Sequence, residues 1–153
     1  MRGYRKAEIM KKLLIIVVAG LALYGFHARY PNFITSLTAQ GTASDQVIKS
    51  AYENRRSNVQ VEGSGVVVKI LPDDLQGSRH QKFILRLSSG QTILVSHNID
   101  LAPRMDALRE GDTVEFFGEY EWNPKGGVVH WTHHDPDGRH QAGWLKHKGA
   151  IYQ

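Results

Sequence analysis

The chain has no cysteine among its 153 residues. Thiolate catalysis, thiolate metal sites and disulfide bonds are therefore excluded, so any metal ion must be held by imidazole and carboxylate groups. The sequence also lacks a nucleophile motif, a phosphate-binding loop and a dinucleotide fingerprint. Its histidines show neither H-x-H nor H-E-x-x-H spacing. The sequence therefore contains none of the short motifs by which these enzyme classes are identified.

Most of the chain has no excess of positive or negative charge, although its formal net charge is +4. Residues 1–12 form a basic tail with five basic residues and one acidic residue, which accounts for the whole excess. From Leu13 onward, fourteen basic residues balance fourteen acidic ones. A domain without net positive charge is a weaker candidate for non-specific binding to nucleic acid, although a local basic patch remains open.

One apolar run follows the tail, in "MKKLLIIVVAGLALYGF" from Met10 to Phe26. Two lysines followed by fourteen apolar or small residues are typical of a signal sequence or short anchor. We assign residues 13–30 to a signal anchor or short transmembrane helix, by which the protein contacts the membrane. No clean cleavage triplet follows, which favours an uncleaved anchor over a cleaved signal. Met10 is an alternative start of the chain.

The orientation of this anchor follows from its lysines. The positive-inside rule keeps them in the cytoplasm and exports the rest of the chain. The predicted location is the bacterial inner membrane, with a single pass and a periplasmic domain; the protein would be secreted if the signal were cleaved.

Residues 31–58 are more polar and predict a linker. Within it, "DQVIKSAYENRR" from Asp45 to Arg56 has apolar residues at helical spacing behind an aspartate that can cap a helix. We expect a short helix there, packed on the outside of the following domain.

Residues 59–153 predict a β domain. Five strands are indicated by alternation or apolar runs, in the segments "VQVEGSGVVVKILP", "HQKFILRL", "QTILVSH", "TVEFFGEYEW" and "VVHWTHH". Between the third and fourth, "LAPRMDALREGD" predicts one short helix with Leu101, Met105 and Leu108 on one side. This order predicts a mainly β fold, an OB-like five-stranded Greek-key barrel. Another small β-barrel and an open α+β sheet are the alternatives.

The alternation also assigns side chains to faces. We expect a group of apolar side chains to point inward: Phe83, Leu85, Ile93, Val95, Val114, Phe116, Val129 and Trp131. The "DPDG" turn should return the tail "RHQAGWLKHKGAIYQ" onto the domain and bury Trp144, Leu145, Ile151 and Tyr152.

Four stretches of this domain are distinctive: "LPDDLQGSRHQKFIL", "SHNIDLAPR", "GDTVEFFGEYEWNPKGGVVHWTHHDP" and "GWLKHKGAIYQ". They resemble a bacterial domain-of-unknown-function family of short exported proteins. The resemblance covers about Val59 to Gln153 and implies no reaction, substrate or cofactor.

Histidine is concentrated in "HWTHHDPDGRH" from His130 to His140. The strand pattern points His130 outward, opposite Glu119 or Glu121 on the preceding strand. The turn could bring His134, Asp135 and His140 together as ligands of a divalent metal such as zinc. The alternative is a set of solvated or hydrogen-bonded histidines without a metal.

A catalytic hypothesis uses the same segment. His97 ends the third strand, which neighbours the fifth in an OB barrel, and could meet His134 and Asp135 as catalytic residues, with His140 beside them. Such a patch would suit a metal-dependent hydrolase of the phosphodiesterase or nuclease type.

A binding hypothesis uses the other face of the barrel. OB barrels bind ligands on strands two and three and on the adjoining loops. The residues that could hold nucleic acid, a glycan or another envelope partner there are Arg79, His80, Lys82, Arg86 and Lys125. Trp122 and Tyr120 are either stacking surfaces for this ligand or part of the core. A membrane-tethered binding module is the main functional prediction, and the hydrolase is the alternative.

Overall fold

The computed structural model describes residues 10–12, 14–18 and 33–153. The chain divides into two compact units, residues 1–39 and residues 40–153. Residues 10–12 and 14–18 are helical. The rest of the predicted anchor, residue 13 and residues 19–30, lies outside the described residues. Within the described ranges, no helix combines the length and the apolar character needed to cross a membrane.

The second unit contains a seven-stranded β-sheet. Seven strands follow one helix in chain order, and their bounds are α1 Phe33–Glu53, β1 Val59–Ile70, β2 His80–Arg86, β3 Thr92–Asn98, β4 Thr113–Glu121, β5 Val128–His130, β6 Trp144–His147 and β7 Ala150–Tyr152. Strand β1 pairs with both β2 and β4, so the order β1-β2-β3-β5-β4 closes on itself. The β3–β5 pair is parallel, and the other pairs are antiparallel. The predicted mainly β fold with a five-stranded barrel is confirmed.

The first strand is long because it serves two neighbours. Its first part pairs with β4 from Val59 to Val66, and its last part pairs with β2 from Val66 to Ile70. The register with β2 shifts by one residue between Val67 and Lys69, just after the strand passes from β4 to β2. Because β1 pairs with both neighbours, the barrel closes.

The core of the barrel follows the predicted alternation. All but one of the side chains expected inward are fully buried, namely Phe83, Leu85, Ile93, Val95, Val114, Phe116 and Val129. The hydroxyl of Tyr120, also buried, donates to the Gly126 carbonyl, so this residue belongs to the core. Trp122 packs against the core from its edge.

The prediction for Trp131 is wrong. Its side chain is only partly buried, whereas Thr132 is fully buried. Strand β5 ends at His130, and Trp131 has a φ of 51°, a left-handed conformation that is rare for residues other than glycine. This turn interrupts the alternation, so the faces assigned up to His130 hold and those of Trp131 and Thr132 change.

The helix differs from the predicted one at both ends. It covers Phe33–Glu53, which includes much of the predicted linker, and it ends before Arg56. Asp45 lies inside the helix and does not cap it. Its carboxylate instead accepts hydrogen bonds from Ser88 and Ser89 in the β2–β3 turn. Docking through this contact and through buried apolar side chains stabilises the helix better than its polar composition suggests.

The short helix predicted in "LAPRMDALREGD" does not form, and residues 99–112 are turns and irregular chain. Pro103 disfavours helical geometry at the residue before it. Further along, the Gln81 side chain occupies both backbone groups of Met105: its amide donates to the carbonyl at 3.1 Å and its oxygen accepts from the N–H at 2.9 Å. Met105 and Leu108 are buried as expected, but Leu101 is exposed.

The C-terminal tail returns to the barrel as predicted. The Asp135–Gly138 turn reverses the chain, and β6 then pairs with the first half of β4. Leu145 is fully buried, as expected. Ile151 is 59% exposed, because β7 pairs only with β6 and has no sheet over it, so its predicted burial is wrong. Trp144 and Tyr152 are intermediate.

Candidate functional site

A pocket opens on the outer face of β2, β3 and β5, with a volume of about 290 Å³. Strand pairing aligns the residues of this face. Lys82 on β2 lies opposite Ser96 on β3, and Val95, the residue before Ser96, pairs with Val129 on β5. The next residue of β5, His130, lies opposite Glu119 on β4. The lining includes three histidines and three other polar or aromatic residues, His80, His130, His133, Ser96, Asn98 and Trp131.

Two of these histidines are oriented by the backbone. The Nδ1 atom of His80 lies 2.7 Å from the Ser78 carbonyl oxygen, and that of His133 lies 2.7 Å from the His134 carbonyl oxygen. A carbonyl can only accept a hydrogen bond, so Nδ1 carries the proton in both rings. When the rings are neutral, Nε2 keeps a lone pair that can accept a proton or bind a ligand.

The third histidine faces two carboxylates. His130 Nε2 is inaccessible to solvent and has no hydrogen-bond partner among the described residues. It lies 3.6 Å from Oε1 of Glu119. Ligand atoms of Glu119, Glu121 and His130 all lie within 4.8 Å of one another. Burial lowers the pKa of His130, although both carboxylates oppose this effect, so the ring is neutral at neutral pH.

His140 reaches the same group from the C-terminal loop. Its Nδ1 lies 3.8 Å from Oε2 of Glu119, so this carboxylate faces two imidazoles. The His140 ring stacks on the Trp131 ring, with centroids 3.8 Å apart and planes inclined by 12°. The left-handed turn at Trp131 thus places its indole against both the pocket and His140.

Asp135 holds the loop that carries His140. Its carboxylate accepts hydrogen bonds from the backbone N–H groups of Asp137, Arg139 and His140 at 3.0, 2.7 and 2.9 Å. Burial works to raise the pKa of Asp135, but these donors outweigh it and the pKa is lowered. With both oxygens engaged, Asp135 acts on the loop backbone in this structure.

His97 lies beneath the pocket and is fully buried. Its Nε2 lies 3.2 Å from the Pro103 carbonyl oxygen and its Nδ1 lies 2.8 Å from the Thr132 hydroxyl. The ring therefore donates from Nε2 and accepts at Nδ1. Burial lowers the pKa of His97 to about 4. This histidine links the β3–β4 connection to the segment after β5.

The predicted catalytic and metal residues are not assembled as expected. His97 is enclosed by its own partners, and His134 is exposed. In the described part of the chain, the metal-ligand group consists of Glu119, Glu121 and His130, and His134 and Asp135 are not in it. Of the predicted residues, His140 approaches one carboxylate of this group, that of Glu119, although it is not itself a member of the group.

The predicted ligand-binding residues also separate. His80 lines the pocket. The guanidinium of Arg79 pairs with Asp100 at 2.6 Å, and the ammonium of Lys82 pairs with Asp74 at 3.3 Å. Two others are exposed away from the lining, Arg86 at the far end of β2 and Lys125 in the β4–β5 turn.

The sequence pattern did carry a signal for Glu119 and Glu121, because the predicted register placed one of them opposite His130. That register is confirmed, with Glu119 directly opposite His130. The contribution of His133 to the pocket had no such signal, since its position depends on the turn at Trp131.

Comparison with protein families supports the resemblance drawn from the four distinctive stretches. Residues 32–153 match a family described as "Protein of unknown function (DUF3465)". Comparison with curated proteins gives no match. The match covers most of the chain, including helix α1 and every strand. The chain therefore belongs to the DUF3465 family of proteins of unknown function.

Proposed function

We propose that this protein is an envelope-tethered binding module that holds a small polar ring compound in the histidine-lined pocket. The observation that carries the proposal is the pocket itself, about 290 Å³ on the outer face of β2, β3 and β5. Ligand pockets usually begin at about 300 Å³, so this one suits a molecule near the size of a nucleobase or a monosaccharide.

The architecture supports a binding role on this face. A closed barrel of five strands with a long, bent first strand is OB-like, and such barrels bind ligands on the face of strands two and three. The pocket draws on that face through His80, Ser96 and Asn98. Likeness of fold does not carry function by itself, so the pocket chemistry has to support the proposal.

The chemistry of the lining favours a compact ligand over a nucleic-acid strand. Asn98 and Ser96 offer hydrogen bonds, while the imidazoles and Trp131 offer flat surfaces. Two basic side chains that flank His80 in the sequence, Arg79 and Lys82, are already paired with carboxylates. A strand of nucleic acid would need unpaired positive charge along its backbone.

A titration of the full chain tests this. Nucleobases, monosaccharides and a single-stranded oligothymidylate are added separately while the imidazole resonances are recorded by NMR. A Ser96→Phe variant fills the pocket, and Thr92→Phe, on the same outer face of β3, is its matched control. We expect a small ring compound to shift the His80 and His133 signals in the native chain and in the control, but not in Ser96→Phe.

Two outcomes would overturn the proposal. One is that no small ring compound shifts the pocket histidines. The other is that only the oligonucleotide binds, with steep salt dependence and without sensitivity to Ser96→Phe.

A metal-dependent hydrolase is the second candidate. One observation favours it: His130 belongs both to the pocket and to the carboxylate group of Glu119 and Glu121. A metal ion held there would lie beside any ligand in the pocket, where it could activate water. Hydrolysis of a model phosphodiester that depends on added metal and is lost in Glu119→Gln would support this candidate over simple binding.

We also propose that residues 13–30 tether the domain to the bacterial inner membrane with residues 31–153 exported. The support is the lysine pair before an apolar run. A reporter that is active only outside the cytoplasm, fused after Gln153, should be active, and it should lose activity when residues 1–30 are deleted. An inactive full-length fusion would contradict the orientation.

A further inference from the structure

We propose that Glu119, Glu121, His130 and His140 form a binding site for one divalent transition-metal ion of the zinc class. These residues differ from the set that the sequence suggested, apart from His140. Two carboxylates and two imidazoles are the oxygen and nitrogen donors that such ions take when no thiolate is present.

The spacing of the side chains supports shared coordination. Oε1 of Glu119 lies 3.6 Å from His130 Nε2, and Oε2 of the same carboxylate lies 3.8 Å from His140 Nδ1. Both are longer than a hydrogen bond. Two donor atoms bound to one tetrahedral ion at 2.0–2.1 Å would lie about 3.3 Å apart, so small side-chain shifts would bring both imidazoles to an ion held by the Glu119 carboxylate.

An unpartnered nitrogen lies in this group. His130 Nε2 is shielded from solvent and has no hydrogen-bond partner within the described part of the chain. A buried polar atom without a partner costs about 1–3 kcal/mol, so native structures rarely keep one without a reason. A bound ion would take up its lone pair.

The two neighbouring carboxylates of Glu119 and Glu121 also favour a bound cation. Glu119 and Glu121 project from the same face of β4, two residues apart. Among the described residues, the ion-pair partners of Glu119 are two histidines, and Glu121 has none. A divalent cation bound here would place positive charge next to both carboxylates.

The surrounding structure positions His140, the fourth proposed ligand. The Asp135 carboxylate accepts a hydrogen bond from the backbone N–H of His140, and the Trp131 ring stacks on the His140 imidazole. Side chains that orient a metal ligand contribute to metal affinity without contacting the ion themselves. In this proposal, the loop from Asp135 to His140 presents His140 to the Glu119 carboxylate on β4.

Metal titration of the full chain tests the site. The protein is treated with a chelator, dialysed and titrated with ZnCl₂ by calorimetry, and CoCl₂ is followed by its visible absorption. We expect one ion per chain. Each of Glu119→Gln and His130→Gln should weaken binding by at least about 100-fold, the upper end of what loss of a supporting residue costs. His140→Gln should weaken it as well and change the cobalt spectrum.

Two matched controls make the test specific. His134→Gln removes a histidine from the same segment, and Glu115→Gln removes an outward carboxylate from the same strand. Both should retain native affinity. Circular dichroism of the metal-free proteins checks that each variant folds. If a ligand variant does not fold, X-ray absorption of the zinc-loaded native chain should show nitrogen and oxygen donors with two imidazoles.

The proposal is overturned if the ion count differs from one, if Glu119→Gln binds as tightly as the native chain, or if His134→Gln loses the metal. An absorption spectrum without two imidazoles would overturn it as well. The ring-compound proposal fails separately, because Ser96→Phe should block the pocket and leave zinc binding intact.

Discussion

Protonation of His97 should set the acid stability of the domain. Its ring is fully buried, and burial lowers its pKa from 6.5 to about 4. Between these values the unfolded chain binds a proton that the folded chain does not, so the free energy of unfolding rises with pH. The contribution is complete above the unfolded pKa of 6.5 and is lost as the pH falls through that range to about 4.

The magnitude follows from the size of the pKa difference. At 1.36 kcal/mol per pKa unit, the fall from 6.5 to about 4 corresponds to about 3 kcal/mol. This is a large share of the stability of an ordinary domain, about 5–15 kcal/mol. Protonation would also give Nδ1 a hydrogen that faces the Thr132 hydroxyl, which would then have to reverse its own hydrogen bond.

A His97→Gln variant isolates this effect. The amide retains one donor and one acceptor for the Pro103 carbonyl and the Thr132 hydroxyl but does not titrate. We expect the native-minus-variant difference in unfolding free energy, measured by urea denaturation, to fall by about 3 kcal/mol between neutral pH and about pH 4. Subtraction removes the contribution of the other histidines.

A constant difference over this range would refute the reasoning. If His97→Gln does not fold, an NMR titration of the native chain decides the question, because the His97 ring should stay neutral down to about pH 5. A His97 signal that titrates near 6.5 would contradict the argument in the same way.

Three further substitutions test the supports of the site. Gln81→Leu should destabilise the domain by about 1–3 kcal/mol in urea denaturation, because it leaves the buried Met105 N–H without its partner and leaves the Met105 carbonyl with Leu108 N–H alone; Gln76→Leu, at an exposed position, should cost much less. Asp45→Ala should cost about 1–3 kcal/mol and loosen helix α1, seen as faster amide exchange there, and unchanged exchange would contradict the docking. Gly143→Ala should lower the melting temperature, since its Cβ would overlap backbone carbonyl oxygens of two neighbouring segments, and an unchanged melting temperature would contradict that packing.

The barrel was predictable because burial repeats every second residue along its strands. Phe83 and Leu85, for example, alternate with half-exposed side chains, and this pattern identified both the strand and its inner face. The pairing of Glu119 with His130 followed from the same rule and a short hairpin. Such features depend on near neighbours in the sequence, which makes them accessible without a structure.

The missing helix in the β3–β4 connection shows where this rule stops. The apolar spacing of Met105 and Leu108 correctly predicted burial, but burial alone does not select a helix. The Gln81 side chain, from strand β2, binds the Met105 N–H and shares the Met105 carbonyl with Leu108 N–H, so the Met105 N–H needs no helical partner. A contact between residues so distant in sequence leaves no periodic trace.

The candidate site depends on one backbone torsion that no pattern encodes. A φ of 51° at Trp131 costs an ordinary residue about 1–2 kcal/mol, so the surrounding structure must hold it. Gly143 helps by allowing close approach to the Trp131 carbonyl, and stacking on His140 holds the indole ring. Strained torsions that are maintained in this way concentrate at functional sites. The same torsion buries Thr132 against His97 and presents Trp131 to the pocket, so acid stability, the pocket and the proposed metal ligand all depend on this turn.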